Sequence, residues 1–328
     1  MNKVLGIFMA LTIWCLPSMS RGETGEFDMD RWNGMLHDIQ NRAIEMNISN
    51  HTINSVIQPS AFIPSIVQSD KNQAEFKLTL DQYLTRMINQ KRINDGKKMK
   101  KTYPTLLSRV DKKYGVPPHI ILAFWGLESN YGSFKAKYKL SDAFLTLIYD
   151  GRRETFFTNQ LFSLMRIADK NNLVIEDIYG SWAGAMGHFQ FIPTTLEQYG
   201  ADGNGDGKID IINSVGDGMF SAGNYLSKLG WDKNQKIIRE VKLPADFDHS
   251  LLDGKTKKKL HEWTAMGVTN PNGTRLPRAD MVAGLVADTG TQTVTQAFLT
   301  YTNFYRIKKW NNSNWYAIAV ALLAENFK

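Results

Sequence analysis

The one cysteine of this 328-residue chain, Cys15, lies within an apolar N-terminal run, and its position limits how the fold can be stabilised. Residues 4–16 are apolar apart from one threonine, they follow Lys3, and Ser18 and Ser20 are small residues suited to a signal peptidase. We therefore expect a signal peptide over residues 1–20, too short to form a spanning helix. The other 308 residues (328 − 20) contain no cysteine, which excludes disulfides, thiol catalysis and thiolate metal sites.

Cleavage after Ser20 is favoured over lipid anchoring at Cys15, because Trp14 stands where a lipoprotein signal needs a small residue. We therefore expect a periplasmic protein. The 17 Phe, 12 Tyr and 8 Trp exclude disorder as the dominant state. A net charge of +7 suits polyanionic partners such as cell-wall polymers, or serves solubility alone. The basic residues form no stripe with aromatic residues between them, so we do not expect nucleic-acid binding.

Hydrophobic spacing predicts a mainly α (α+β) fold. Residues 237–243 alternate imperfectly before Pro244, which predicts a strand, and the glycines and prolines of 236–305 favour short β elements. Ser141 is a candidate helix cap, and Pro59 and Pro64 mark a loop. Apolar residues at helical spacing predict helices within 27–46, 70–93, 118–129, 141–149, 156–171, 218–229 and 316–327.

The helix predicted from Pro118 carries an acidic residue on its apolar side. Ile121, Phe124, Trp125 and Glu128 fall at positions i, i+3, i+4 and i+7, which share one helix face. Loss of hydration there raises the pKa of a carboxyl group, so Glu128 could serve as a general acid. The alternative is a half-exposed glutamate that bonds to the turn after the helix, and spacing alone leaves both interpretations open.

Five ordered segments carry a family resemblance over most of residues 70–328. Their order and spacing resemble those of lytic murein transglycosylases of the B type. The segments are 124–132 (FWGLESNYG), 150–153 (DGRR), 181–193 (SWAGAMGHFQFIP), 224–225 (NY) with the loop before it, and 303–317 with its NF and WNNSNWYA blocks.

The resemblance implies cleavage of the β-1,4 bond between N-acetylmuramic acid and N-acetylglucosamine in peptidoglycan. Glu128 would protonate the leaving oxygen and then accept a proton from the C6 hydroxyl, which closes a 1,6-anhydro ring with help from the substrate's N-acetyl oxygen. One carboxyl group replaces the pair of ordinary glycosidases. A lysozyme-type muramidase and an inert peptidoglycan-binding protein are the alternatives.

The resemblance also implies that Ser181 and Gln190 line the sugar subsite near the N-acetyl group. Their neutral hydrogen-bonding groups suit sugar hydroxyls and acetamido groups, and Gly184 and Gly187 would let the backbone approach a ligand. The alternative is that these glycines pack helices together while the polar side chains face solvent.

Charged and aromatic residues are implied as further substrate contacts. Arg152 and Arg153 would meet carboxylates of the lactyl group or peptide stem, unless one of them makes a structural ion pair. Tyr225 would stack on a sugar ring, or else lie in the core.

Near the C-terminus, Asn311 and Tyr316 match positions that close the cleft in the family. Trp310 stands where better-known members carry tyrosine, a change that keeps stacking but loses the phenolic hydrogen bond.

Residues 202–213 resemble a twelve-residue EF-hand loop and match it well over the first nine positions, with Gly207 at the required sixth position. Asn213 replaces the usual bidentate glutamate at position 12, so we expect weak, structural Ca²⁺ binding and no organic cofactor. The alternative is a glycine-rich turn without metal, and Asp210 would bind through water or not at all. The predicted ligands are Asp202, Asn204, Asp206, the Lys208 carbonyl and Asn213.

The domain organisation follows from these segments, with a lysozyme-like core implied by the resemblance. We expect a monomer that binds glycan strands and that could join cell-wall synthesis or secretion complexes. The predicted parts are the signal peptide 1–20, an N-terminal helical part 21–103, a catalytic core with the EF-hand-like loop 104–235, a small β-containing part 236–305, and a closing C-terminal segment and helix 306–328.

Overall fold

The computed structural model describes residues 27–72, 78–289, 294 and 296–328. The predicted signal peptide, with Cys15 and the Ser20 cleavage site, lies outside these residues. Within them the chain is mostly helical with small antiparallel sheets, which confirms the predicted fold class. None of the helices in the described ranges is long and apolar enough to cross a membrane.

The elements follow one another in this chain order. The helices are α1 (Met29–Glu45), α2 (Asn50–Ile57), α3 (Pro64–Lys71), α4 (Leu80–Met87), α5 (Gln90–Thr102), α6 (Pro104–Tyr114), α7 (Pro118–Ser129), α8 (Leu140–Asp150), α9 (Glu154–Asn171), α10 (Pro193–Tyr199), α11 (Val215–Lys228), α12 (Leu260–Ala265), α13 (Thr302–Trp310) and α14 (Asn314–Glu325). The strands are β1 (Tyr138–Lys139), β2 (Tyr179–Gly180), β3 (Ile238–Val241), β4 (Lys258–Lys259), β5 (Val282–Ala287) and β6 (Ala297–Thr300).

The chain forms two compact units, each made from separate stretches of sequence. The Glu128 unit contains the described residues of Thr12–Ala74 and Glu128–Asn224, and the sheet unit contains those of Glu75–Leu127 and Tyr225–Lys328. The division falls within α7 and within α11. The continuous segments 21–103, 104–235, 236–305 and 306–328 stay a prediction.

The Glu128 unit packs α8 against α9 and α3, α10 against α9, and α1 against α2. Helix α1 begins where the Asp28 carboxylate accepts the N–H groups of Asp30 and Arg31. Its buried residues Trp32, Leu36, Ile39 and Ala43 recur at helical spacing, so they form one apolar stripe.

Helix α8 begins differently from the prediction. Lys139 is its N-cap residue and makes no side-chain cap, so the expected capping role of Ser141 is wrong. Ser141 lies in the first turn and is buried, as is every residue from Leu140 to Tyr149. Burial on all sides follows from the packing of α8 against two other helices. The helix ends at Gly151, whose φ is +83°.

The sheet unit contains an antiparallel sheet in the order β3-β6-β5-β4, and β3 confirms the strand predicted within 237–243. Trp263, Leu285 and Leu299 are buried in its core, and the Trp263 indole N–H donates to the Ala283 carbonyl at 3.0 Å. The predicted C-terminal helix is present as α14, which packs against α13 and α4.

One predicted helix is interrupted. Apolar spacing favoured a helix within residues 70–93, but α3 ends at Lys71, α4 covers only Leu80–Met87, and α5 starts after Asn89. The Asn89 side chain accepts the N–H of Arg92, which starts a new helix. Short polar side chains compete with helix continuation in this way.

Candidate active site

Glu128 lies in the last turn of α7. Ile121, Phe124 and Trp125 on the same face are at most 1% exposed, whereas Glu128 is half-buried. The structure therefore places this carboxyl group at the end of an apolar face, as the spacing predicted. A turn begins two residues after Glu128, at Asn130, as the alternative interpretation expected.

The turn after Glu128 has an unusual backbone. Asn130, Tyr131 and Gly132 have φ values of +49°, +59° and +79°, so three successive residues adopt the left-handed conformation. Such conformations cost energy in residues other than glycine and concentrate at functional sites. The neighbouring Ser129 is buried, and its hydroxyl accepts the Gly132 N–H at 2.8 Å. Sequence reasoning expected a turn here but missed its left-handed backbone, although Asn and Gly are residues that tolerate positive φ.

Ser181 also lies in the Glu128 unit, directly after β2. Its hydroxyl accepts the Ala185 N–H at 3.0 Å, and its own N–H donates to the Ala185 carbonyl at 2.8 Å. A Cβ on Gly184 would lie 2.2 Å from the Phe144 ring. The glycine is required for packing against Phe144, and it lies in a turn rather than between packed helices, which the alternative interpretation had offered.

Gln190 has a positive φ of +48°, and its side-chain amide donates to the Gly187 carbonyl at 3.0 Å. A Cβ on Gly187 would lie 2.5 Å from the Ile211 carbonyl oxygen. Both glycines of this block therefore allow close approach by other residues of the protein. Ser181 and Gln190 are each partly exposed, so each retains surface for a ligand.

Arg152 and Arg153 both bind the same carboxylate. Asp70 is 1% exposed, and one of its oxygens accepts the Arg152 Nε–H at 2.7 Å while the other accepts from Arg153. The Arg152 guanidinium also donates to the Asp70 carbonyl at 2.7 Å. The sequence left one structural ion pair open, and the structure shows two. Contact of either arginine with substrate stays a prediction.

The aromatic candidates of the sheet unit pack around Phe124. Its ring centroid lies 4.7 Å from that of Trp310 and 6.1 Å from that of Tyr316, and Tyr225 lies 5.1 Å from Trp310. Tyr225, Tyr316 and Asn311 are each 6% exposed and Trp310 is 1% exposed. Because stacking requires an open ring face, this structure gives Trp310 a packing role. Contacts of the other three residues with substrate stay predictions.

The loop 202–213 is folded by its own side chains. The Asp202 carboxylate accepts the N–H groups of Gly205 at 2.6 Å and Gly207 at 2.8 Å. Those two bonds lower its pKa, so it is ionised at neutral pH. The Asn204 carbonyl oxygen accepts the Asp206 N–H at 2.9 Å.

The second half of the loop continues this pattern. Asp206 accepts the Lys208 N–H at 2.8 Å, and Asp210 accepts the N–H groups of Ile212 and Asn213 at 3.0 Å. The Asn213 side-chain amide donates to Asp210 at 2.8 Å. That bond uses the amide nitrogen, whereas a metal ion would bind the amide oxygen, so Asn213 stays a predicted ligand.

Asp217 anchors the loop 202–213 to α11. Sequence reasoning missed this residue. It is fully buried in α11, and its carboxylate accepts N–H groups of Gly203 at 2.9 Å, Asn204 at 3.3 Å and Asp210 at 2.7 Å. Nothing in the sequence distinguishes Asp217 from an ordinary acidic residue in the first turn of a helix.

The oxygen atoms that the loop 202–213 offers are of the chemical types that bind a hard cation. Carboxylate, amide and main-chain oxygens are the ligands that Ca²⁺ prefers. In the part of the chain that the structure describes, no group of three or more acidic, His or Cys side chains is arranged to hold a metal ion. Calcium binding would therefore depend on the Asn204 amide and the Lys208 carbonyl as well as on Asp202 and Asp206.

Comparison with known proteins identifies the family. The sequence model of the Transglycosylase SLT domain family matches residues 31–325, nearly the whole described chain. The chain belongs to the transglycosylase SLT domain family. This result confirms the family resemblance carried by the five sequence segments.

A curated relative also matches most of the chain. Membrane-bound lytic murein transglycosylase B of Escherichia coli K12 is 31% identical over 249 residues, which are 74% of this chain and 66% of that protein. The chain thus spans slightly less than two thirds of this curated relative.

Solved structures of two other proteins are also similar. SltB3 of Pseudomonas aeruginosa, in complexes with NAG-NAM-pentapeptide and with NAG-anhNAM-pentapeptide, is 37% identical with a TM-score of 0.85, covering 90% of this chain and 79% of SltB3. Slt35 of Escherichia coli, in complex with calcium, is 26% identical with a TM-score of 0.77, covering 90% of this chain and 92% of Slt35.

Proposed function

We propose that this protein is a lytic transglycosylase that cleaves the β-1,4 bond between N-acetylmuramic acid and N-acetylglucosamine. The observation that carries the proposal is the position of Glu128, half-buried at the end of the apolar face of α7 and before a fixed turn. Family membership and the peptidoglycan fragments bound by SltB3 support the same substrate class.

Glu128 serves both proton transfers in this proposal. It protonates the glycosidic oxygen as the bond to C1 breaks, and the resulting carboxylate accepts the proton of the muramic C6 hydroxyl. The C6 oxygen then bonds to C1 and closes the anhydro ring, with the substrate's own acetamido oxygen stabilising C1 in between. No water is consumed, so one carboxyl group is sufficient, whereas hydrolysing glycosidases use two.

Ser181 and Gln190 are proposed to orient the sugar through hydrogen bonds. The Ser181 hydroxyl accepts the Ala185 N–H and keeps its proton for donation to a ligand. The Gln190 amide donates to Gly187, which leaves its carbonyl oxygen as an acceptor for a sugar hydroxyl or amide. Tyr225, Asn311 and Tyr316 are proposed to contact the glycan through the atoms that stay exposed.

Product analysis tests this function directly. Purified sacculi are digested with the protein, and the released muropeptides are analysed by mass. The proposal expects 1,6-anhydromuramic ends, which are lighter by one water than the ends that a muramidase produces. Reducing ends would show a lysozyme-type hydrolase instead, and binding of sacculi without release would show a peptidoglycan-binding protein.

We also propose that the loop 202–213 binds one Ca²⁺ in a structural role. The ion would stabilise the loop and supply no chemistry to the reaction. Asp202, Asn204 and Asp206 would hold it with the Lys208 carbonyl, and the calcium complex of Slt35 supports this assignment. Weak affinity is expected because position 12 is Asn213.

The proposed location is the periplasm, where peptidoglycan is accessible. Support comes from the sequence of residues 1–20, with Trp14 disfavouring lipidation of Cys15. We propose a monomer that acts on glycan strands, alone or with cell-wall synthesis or secretion complexes. Labelled palmitate found in the wild type, and lost in Cys15→Ser, would show a lipid-anchored protein instead.

A further inference from the structure

A short segment connects the turn after Glu128 to the loop 202–213. The His188 carbonyl accepts the Ser129 hydroxyl at 2.6 Å, and the His188 N–H donates to the Ile211 carbonyl at 3.1 Å. Ser129 follows Glu128 directly, and Ile211 lies within the loop 202–213. One residue therefore bonds to both elements through its main chain.

Packing around this segment is so close that a Cβ atom would not fit at two nearby glycines. A Cβ on Gly132 would lie 2.4 Å from Nδ1 of the His188 ring, and one on Gly187 would lie 2.5 Å from the Ile211 carbonyl oxygen. Gly218 of α11 is close as well, since its Cβ would lie 3.3 Å from that of His188. Because His188 bonds to Ile211 and its ring packs close to Gly132, we expect a movement at Ile211 to displace His188 and, through it, the Gly132 turn.

The loop 202–213 could transmit cation binding only if it has a cation-free and a cation-bound conformation. Its ligand side chains are mostly exposed, whereas its attachment to the core runs through the buried Asp217. Cation binding to the exposed oxygens would fix the conformation in which Ile211 meets His188. Coupling between distant groups requires an element of this kind, whose equilibrium both sides bias.

We propose that His188 is a positioning residue, which couples the conformation of the loop 202–213 to the turn that orients Glu128. The inference rests on the proposed transglycosylase function and on the calcium loop. It assigns to the loop an effect on the rate of the reaction, beyond stabilising the fold.

The test uses a glycine pair matched for backbone conformation. In Gly132→Ala the new methyl group meets the His188 ring. Gly115→Ala is the control, because Gly115 also has a positive φ (+68°) but nothing within 4 Å of its Cβ position. We expect kcat to fall about 10- to 100-fold in Gly132→Ala at unchanged KM, since misplacement by about 1 Å costs up to that much. We expect Gly115→Ala to retain the wild-type kcat.

Two further measurements make the test specific to His188. Coupling predicts that Gly132→Ala/His188→Ala is no slower than His188→Ala, because the clash requires the ring. It also predicts that the calcium Kd of Gly132→Ala, measured by calorimetry, rises at least about fivefold, because coupling of two equilibria is reciprocal. If Gly132→Ala fails to fold, restored folding in the double variant supports the same clash.

Three outcomes would overturn the proposal. They are additive losses in the double variant, a Gly132→Ala protein whose kcat and calcium Kd match those of Gly115→Ala, and a double variant that remains unfolded. The calcium measurement needs no substrate, so it separates failure of this coupling from failure of the transglycosylase assignment. A wild type that binds calcium but releases no anhydromuropeptides contradicts only the assignment.

Discussion

The hydroxyl of Ser129 donates to the main-chain carbonyl of His188 across 2.6 Å and accepts the N–H of Gly132. Ser129→Ala removes both bonds and takes one hydrogen-bond partner from each of two main-chain groups close to Glu128 in the chain fold. We expect a loss of about 1–3 kcal/mol in the free energy of unfolding, with a fall in kcat. Urea denaturation and initial rates measure the two effects.

The control for this change is Ser133→Ala in the same turn. The exposed Ser133 hydroxyl donates to the Asn130 carbonyl at 2.8 Å, where water can replace it. We expect its unfolding free energy to stay within about 0.5 kcal/mol of the wild type. Equal effects of the two substitutions would contradict a special role for Ser129.

The double ion pair of Asp70 should matter for stability. Asp70→Ala leaves two guanidinium groups without their buried partner, although both arginines are partly exposed and can hydrate. We therefore expect a loss of about 2 kcal/mol, below the range for fully buried pairs. Asp95→Ala, which breaks the exposed pair with Lys91, is the control and should cost less than about 0.5 kcal/mol. Similar losses in both variants, from denaturant titrations, would show that burial of Asp70 is unimportant.

The sequence predicted those parts of the site that depend on local spacing. Helical periodicity places Glu128 on the face of Phe124 and Trp125, and this required no tertiary information. The 181–191 block could not be predicted in the same way, because its turns depend on the meeting of Gly184 with Phe144, forty positions earlier. The buried role of Asp217 depends likewise on three main-chain groups that only the folded loop brings together.

Titration of the Asp142 carboxyl group should make the stability of the folded protein depend on pH. Burial raises the pKa of this carboxyl group, against smaller opposing effects of Lys139 and the Ala61 N–H. Its folded-state pKa therefore exceeds its unfolded value, so stability is lost as pH rises above the ordinary value of 3.8 and through the folded-state pKa. Asp142→Asn does not titrate and should gain stability relative to the wild type over this rise. Melting temperatures of both proteins across pH 4–7 test this, and a constant difference would contradict it.

Calcium should raise the melting temperature of the wild type. Binding to the folded state alone contributes about 2.7 kcal/mol at a hundredfold excess over Kd. Asp206→Ala removes a proposed ligand and should abolish the shift. Asp217→Asn keeps the exposed ligands but weakens the attachment of the loop, so it should lower stability even with chelator present. Identical wild-type melting curves in calcium and in chelator would show that the loop is a turn without metal.

Glu128→Gln should abolish cleavage and preserve the fold. Glutamine has nearly the same volume, so it can occupy the half-buried position at the end of α7, but it cannot donate or accept the required protons. General acid–base catalysis contributes about 10²–10⁴-fold for one transfer, and here one group serves two. Anhydromuropeptide release is the measurement, with circular dichroism to verify folding and the exposed Glu45→Gln as a control that should keep full activity. Since even the weakest such effect exceeds tenfold, a folded Glu128→Gln protein that retains more than about a tenth of the wild-type rate would show that another group is the acid.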